Sequence, residues 1–341
     1  MKIFLRIAVF SLVSAMLVSC FGKKNKPLLV NGAGASFPYI LYTKWLYEYN
    51  QINPSITINY QSIGSGGGIR QFLKGTLDFG GTDIPVRSKE LNKTKKTILH
   101  IPTTLGSVAV TYNIGLKQSL NLDGKTLSQI FMGEIKNWNH PKIQKLNPNV
   151  KLPEDTIVVV YRADGSGTTS VFTEFLSKNS PSFLNKVGRG KSVNWPVGIG
   201  GKGNEGVMGL VNKMKGSISY ISLSYVLSQK LPVAKIKNEV GEFIFPNSKS
   251  VRQAADSVLK KTRSFKSSLV YVGGSGSYPL SSFTYIIISH QMPREKGLII
   301  VNFLKWCLSD GQKFSEELYF IRLPERVSSE AMKKLSIVQY Q

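Results

Sequence analysis

Three short stretches of the chain combine glycine with Ser or Thr just ahead of a helical pattern. They are Asn31-Gly32-Ala33-Gly34-Ala35-Ser36-Phe37-Pro38, Ile63-Gly64-Ser65-Gly66-Gly67-Gly68 and Arg162-Ala163-Asp164-Gly165-Ser166-Gly167-Thr168-Thr169. Glycine lets the backbone come close to a ligand, and Ser or Thr caps a helix start. The free N–H groups and the dipole of a helix N-terminus attract an anion. One such loop reads as a tight turn with a cap. Three of one style point to an oxyanion caged mainly by neutral donors. Arg162 can add a charge-assisted, forked contact, or pair with Asp164 to order its loop. Asp83 follows Phe79-Gly80-Gly81-Thr82 and reads either as another site carboxylate or as a helix cap.

The same residues can be read as enzyme parts, and each such reading is weak. Gly32 to Phe37 is a dinucleotide fingerprint with Phe37 in place of the third glycine and Pro38 behind it. Gly198-Ile199-Gly200-Gly201-Lys202-Gly203 matches G-x-G-x-x-G, but Trp195-Pro196 precedes it rather than a strand. The nearest approach to a Walker A loop, Asn185 to Ser192, begins with Asn. None of Ser65, Ser166 and Ser275 sits in a G-x-S-x-G elbow. Asp83 and Asp164 could work as a catalytic carboxylate pair, yet both occupy binding-type loops. Three His (His100, His140 and His290) are too scattered for a His-based metal site. Two Cys exclude a disulfide scaffold and a Cys-rich zinc or iron–sulfur site. No catalytic residue, metal ligand or cofactor is assigned.

The elements that must position these loops follow from short apolar runs alternating with helical spacing. Leu28–Asn31, Ile56–Tyr60, Leu77–Gly80, Val108–Tyr112, Ile157–Tyr161 and Tyr285–Ser289 read as strands. Tyr39–Asn50, Ile69–Lys74, Thr168–Ser177, Gly206–Lys213, Val251–Lys260 and Glu295–Leu308 read as helices. This βαβα order predicts α/β layers with mostly parallel sheets. The chain has 341 residues, enough for two domains at about 150 residues each. With 42% hydrophobic and 19% charged residues it is an ordinary globular composition. Trp45, Trp138, Trp195 and Trp306 are expected to pack rather than to hold ligand. His100, beside Ile98, Leu99 and Ile101, is expected to be structural, and Cys307 to be a buried free thiol.

Lys and Arg number 44 against 20 Asp and Glu, a net charge of +24. The dense runs Lys23-Lys24-Asn25-Lys26 and Lys93-Thr94-Lys95-Lys96 lack the interleaved aromatics of a single-strand nucleic-acid binder, so no nucleic-acid partner is assigned. A solvated lysine-rich surface accounts for the charge, and a general attraction for small anions is the next reading. Residues 1–20 begin with Lys2 and Arg6 and continue into the uncharged run Ile7 to Val18, the pattern of a secretory signal. No later stretch has 18 uninterrupted apolar residues, the length that would span a bilayer.

Leu17-Val18-Ser19-Cys20 resembles the lipobox of bacterial lipoproteins. That resemblance implies a signal peptide over 1–19, cleavage before Cys20, lipid on its thiol and a lipidated tether over 20–27; the other reading is an uncleaved anchor. The three loops, together with Tyr60-Gln61-Ser62 and Asp78-Phe79-Gly80-Gly81-Thr82-Asp83, resemble the phosphate-binding subunit of the bacterial phosphate ABC importer. Asp123-Gly124-Lys125-Thr126, Lys136-Asn137-Trp138 and Gly200-Gly201-Lys202-Gly203-Asn204 resemble it too. The likeness runs from about residue 28 to near the C-terminus and thins between about 228 and 278.

The family resemblance implies a two-lobed periplasmic-binding-protein fold (type II), each lobe a mostly parallel sheet flanked by helices, with the ligand cleft between lobes. Lobe I would comprise 28–111 and 284–341, lobe II 112–283, with crossings near Thr111 and Thr284. It also implies phosphate contacts from Ser36, Phe37, Ser65, Asp83, Arg162, Asp164, Ser166, Gly167 and Thr168, Phe37 and Gly167 acting through backbone N–H. The implied partners are inorganic phosphate, the permease and ATPase subunits of the importer, and a membrane reached through the lipid, with the chain extracytoplasmic and monomeric. Phosphate near neutral pH keeps a proton that sulfate lacks, and an ionised carboxylate only accepts. Asp83 and Asp164 would therefore accept that proton and penalise sulfate. A secreted phosphatase-like enzyme using the same loops, a surface interaction protein, and a receptor for arsenate, molybdate or sulfate stay open at this level.

Overall fold

The computed structural model describes residues 28–341 apart from 93, 117 and 263. The leader over 1–19, Cys20, the tether to residue 27 and Lys93 lie outside the described residues. The chain opens with β1 (Leu28–Gly34), α1 (Tyr39–Ile52), β2 (Ile56–Ser62), α2 (Gly64–Leu73) and β3 (Phe79–Thr82). Here β1 pairs in parallel with both β2 and β3. The long β4 (Ile98–Asn113) follows, then β5 (Asn121–Leu122), α3 (Gly124–Phe131), β6 (Val158–Arg162), α4 (Gly167–Asn179), β7 (Ile199–Gly201), α5 (Gly203–Lys213) and β8 (Ser217–Ser222). After these come β9 (Lys235–Lys237), β10 (Phe243–Ile244), α6 (Ser248–Leu259), β11 (Ser281–Ser289), β12 (Gln291–Met292), α7 (Arg294–Leu308), α8 (Glu325–Ser336) and β13 (Gln339–Tyr340).

One eight-stranded sheet runs β2-β1-β3-β11-β4-β8-β6-β7. Its two ends are parallel, and its middle is antiparallel because β4 and β11 run against each other and against their outer neighbours. Residues Ile98 to Ser107 of β4 pair with β11, and Val108 to Asn113 pair with β8. A single strand thus serves both halves of the sheet, and the handover falls between Ser107 and Val108. Apart from its two end residues, β4 is buried throughout. Helices cover both faces, so its sequence does not alternate.

Sequence reading found only the second half of β4, because Pro102, Thr103, Thr104, Gly106 and Ser107 break the apolar run. The structure tolerates them for specific reasons. Pro102 sits where the β11 register shifts between Thr284 and Tyr285, and a ladder irregularity is where a residue without an N–H is accepted. Thr103 Oγ1 shares a hydrogen bond with Tyr42 OH at 2.7 Å, and Thr104 Oγ1 donates to the Ile321 carbonyl at 2.9 Å. The α2 helix also begins earlier than its apolar pattern, at Gly64 rather than Ile69. Glycine is a poor helix former, but a Cβ on Gly68 would lie 2.5 Å from Gly34 Cα. Close packing of α2 on β1 requires these glycines and overrides their propensity.

The core forms around both sheet halves. On α1, Leu41, Tyr42, Trp45 and Tyr49 face inward at helical spacing. Trp45 and Trp138 are fully buried, and Cys307 is a buried free thiol. His100 is buried and accepts the Val86 N–H through Nε2 at 3.0 Å. Trp45 Nε1 donates to the Gly311 carbonyl at 2.6 Å, tying α1 to the segment after α7. Trp45→Phe removes the donor and strands that carbonyl. It should lower unfolding free energy in urea by about 1–3 kcal/mol, with the fold retained by circular dichroism.

Candidate functional site

Each glycine loop leaves the C-terminal end of a strand and enters a helix, so the loops converge where the two halves of the sheet meet. Strand β1 ends at Gly34, whose φ is 149°. A Cβ there would collide with the Gly81 carbonyl oxygen, so only glycine lets β1 leave beside β3 at this depth. Ser36 follows, fully buried. Its Oγ accepts two bonds from Asn204, from the backbone N at 3.1 Å and Nδ2 at 2.8 Å. Its carbonyl accepts from Tyr225 OH at 3.0 Å. The Phe37 ring packs edge-on to Phe320 at 6.0 Å. Among the described residues the Phe37 N–H has no acceptor.

The second loop is the first turn of α2. Ser65 Oγ lies 3.1 Å from Asp83 Oδ2 as donor and 3.2 Å from the Asp83 N–H as acceptor. Asp83 follows β3 directly and is 3% exposed. Thr284 Oγ1 donates to its Oδ1 at 2.9 Å, and Ser282 Oγ to its carbonyl at 3.0 Å. Burial outweighs the lowering pull of Thr284, Ser65 and the Arg162 charge and leaves the Asp83 carboxyl pushed up to about 6.

The third loop leaves β6 at Arg162, a nearly buried guanidinium. Its Nε donates to Asp164 Oδ1 at 2.8 Å and its Nη2 to Oδ2 at 2.5 Å, while Nη1 reaches Thr168 Oγ1 at 3.4 Å. Gly203 N–H adds a bond to Asp164 Oδ1 at 3.0 Å. Burial raises the Asp164 carboxyl, but the Arg162 fork, its charge and Gly203 outweigh this and hold it below the usual range. Ser166 caps α4 by accepting the Thr169 N–H at 3.1 Å. The N–H groups of Gly167 and Thr168 in that first turn have no acceptor among the described residues, as expected at a helix start.

The loops touch across the seam. Gly66 N–H donates to the Gly165 carbonyl at 2.7 Å. A Cβ on Gly167 would collide with Asp83 and lie 2.7 Å from Ser65 Oγ, and one on Gly64 would collide with Asp164. All nine residues expected at the site are therefore drawn to one place. Ser36 Oγ and Thr168 Oγ1 each accept from Asn204, Thr168 also from Arg162, so each keeps its own proton to give. The cage offers donors to an acceptor-rich guest and sets one buried carboxylate, Asp83, beside them. Among the described residues no group of His, Cys, Asp or Glu could hold a metal ion.

Three contributors escaped the sequence reading. Asn204 appeared there only as part of a glycine motif without a role, yet it braces Ser36, Thr168 and the Ser222 N–H, the last through Oδ1 at 3.0 Å. Tyr220 OH accepts the Arg162 N–H at 3.2 Å and shares a bond with Thr169 Oγ1 at 2.8 Å. Tyr225 OH joins Ser36 to Glu205, which also accepts from Ser62. The only local signal for any of them was the Gly203-Asn204 turn into α5.

A family model described as a PBP superfamily domain matches residues 22–311. A phosphate-binding protein PstS of Xylella fastidiosa is 39% identical over 306 residues, covering 89% of this chain and 83% of its own. One from Pasteurella multocida is 37% identical, covering 93% of this chain and 92% of its own. Among solved structures, the periplasmic phosphate-binding protein PfluDING, bound with phosphate, superposes with a TM-score of 0.71 over 90% of this chain and 93% of its own. At 20% identity that last likeness is one of fold.

The electrostatics of Asp83 have a measurable signature. Its folded pKa lies above the ordinary 3.8, so between about pH 4 and about pH 6 the native state holds this proton more tightly than the unfolded chain. Its stabilising contribution is full below that window and is lost as pH rises through it, by about 3 kcal/mol in total. Urea unfolding of the ligand-free protein across this range should show that decline. Asp83→Asn should flatten it; an unchanged profile in the variant would assign the decline to other groups.

Proposed function

This chain belongs to the PBP superfamily and, within it, to the phosphate-binding proteins, and from that membership we propose how it captures inorganic phosphate for an ABC importer. The observation that carries the proposal is the balance of donors and acceptors in the cage. Hydroxyl protons of Ser36 and Thr168 and the N–H groups of Phe37, Gly167 and Thr168 are left to give. A tetrahedral oxyanion is the small guest that accepts from several directions at once. Ser166, which accepts from Thr169, has a further hydroxyl proton to give, Ser65 can turn its own from Asp83 to the guest, and Arg162 supplies a charge-assisted contact.

The two carboxylates divide the discrimination. Asp83 has a spare lone pair on each oxygen and accepts the P–OH proton. Asp164 spends its oxygens on the Arg162 fork and Gly203, so it fixes the guanidinium first and meets the guest second. Sulfate brings no proton, and its oxygens would face an unpaired buried acceptor. The guest lies between lobe I (28–111 and 284–341) and lobe II (112–283). The handover on β4 and the start of β11 opposite Ser107 support crossings within a few residues of those limits.

Capture is a binding event without chemistry. The chain works outside the cytoplasm, held to a membrane through lipid on Cys20, and passes phosphate as a monomer to permease and ATPase subunits. No helix among the described residues is long and apolar enough to cross a membrane.

Calorimetry with phosphate and sulfate tests the proposal. Phosphate should bind at one per chain and sulfate at least about a thousandfold more weakly; comparable affinities would sink it. Asp83→Asn can donate where Asp83 only accepts. It should weaken phosphate by about 10- to 100-fold and narrow the gap to sulfate. Addition of phosphate should also reduce the radius of gyration in small-angle scattering as the lobes close.

A further inference from the structure

Beside the cage, on the other side of Asp83, lies a cavity of about 440 Å³. It straddles the seam: Arg87, Tyr285 and Lys266, whose neighbour Phe265 accepts from Tyr285 OH, line it from one side, Ser170 and Arg189 from the other. Three of these are exposed cations, and none of their charged groups has an ion pair or hydrogen bond among the described residues. The nearby carboxylates are already engaged. Glu90 pairs with Lys191 across the seam, and Glu174, which also lines the cavity, pairs with Lys178 at 3.1 Å and accepts from Ser268 at 2.8 Å. Asp83 is turned to Ser65 and Thr284.

Closure brings these charges together. The Arg87 guanidinium lies 3.5 Å from where a Cβ on Gly190 would stand, next to Arg189. Like charges brought together across a closing seam oppose the closed form. An anion between them reverses the sign. We propose that this cavity is a second, outer anion site, which takes a small divalent oxyanion between Arg87, Arg189 and Lys266 and thereby holds the lobes shut over the caged phosphate. The inference rests on the phosphate reading of the cage. Its three cations are solvent-exposed, so the outer site is weak, and its ligand exchanges while the caged ion stays.

Sulfate separates the two sites, since the cage rejects it and the outer site does not require a proton. The full chain is loaded with radioactive phosphate, and release is followed on dilution into sulfate or into chloride of equal ionic strength. Release should be about tenfold slower in sulfate. The combined variant Arg87→Gln, Arg189→Gln and Lys266→Gln should still load with phosphate and should release it at one rate in both salts. Equal rates in the unaltered protein, or a sulfate effect that survives in the variant, overturn the outer site while leaving the cage intact. Failure to load any phosphate overturns the reading of the cage, and the outer site with it.

Discussion

The seam of the site is set by backbone meeting backbone. Gly66 donates to the Gly165 carbonyl, and Gly64 and Gly167 lie against Asp164 and Asp83 with no room for a Cβ. Everything else at the site is measured from that contact. It brings the start of α4 against the start of α2 and seals Ser36 under Asn204 and Tyr225. A Cβ at Gly64 or Gly167 would have to push Asp164 or Asp83 aside, whereas one at Gly66 or Gly165 would need the loops to give by only a few tenths of an ångström. The glycines therefore specify a distance as well as a turn.

Charge is handled locally and sparingly inside that contact. The protein as a whole carries +24, yet the cage sets a single cation, Arg162, against two carboxylates, Asp164 and Asp83. Arg162 is matched by Asp164, and Asp83 is held by hydroxyls rather than by a cation. A buried ion pair contributes little to stability once desolvation is counted, so the Arg162–Asp164 pair is better explained as a device for orientation. It fixes a guanidinium fork whose third edge turns to Thr168. Neutral donors then carry most of the recognition, because their dipoles need no counter-ion when the guest is absent.

What could be read from the sequence was what is local. A glycine, a hydroxyl and a helical pattern within eight residues show themselves in one loop, and so did Arg162 with Asp164 two residues on. The pairing of Ser36 with Asn204 spans 168 residues and that of Asp83 with Thr284 spans 201. Nothing in either partner's neighbourhood announces it, since Asn and Thr are ordinary loop and strand residues. The first half of β4 was hidden for a related reason: its buried hydroxyls and proline look like a loop until their partners on α1 and β11 are in view. The early start of α2 was hidden by the same glycines that made the loop conspicuous.

Thr284 links the chemistry of the cage to its motion. It stands on β11 at the register shift opposite Pro102 and Thr104, and its hydroxyl holds Asp83 Oδ1. On the proposed hinge, bending of β11 relative to β4 concentrates where the ladder is already irregular. Any change of strand geometry there moves the hydroxyl that steadies the selecting carboxylate. On that reading, opening would part Gly66 from Gly165, and water could replace the bond that is lost. The seam at the cage is made of polar contacts that solvent can satisfy.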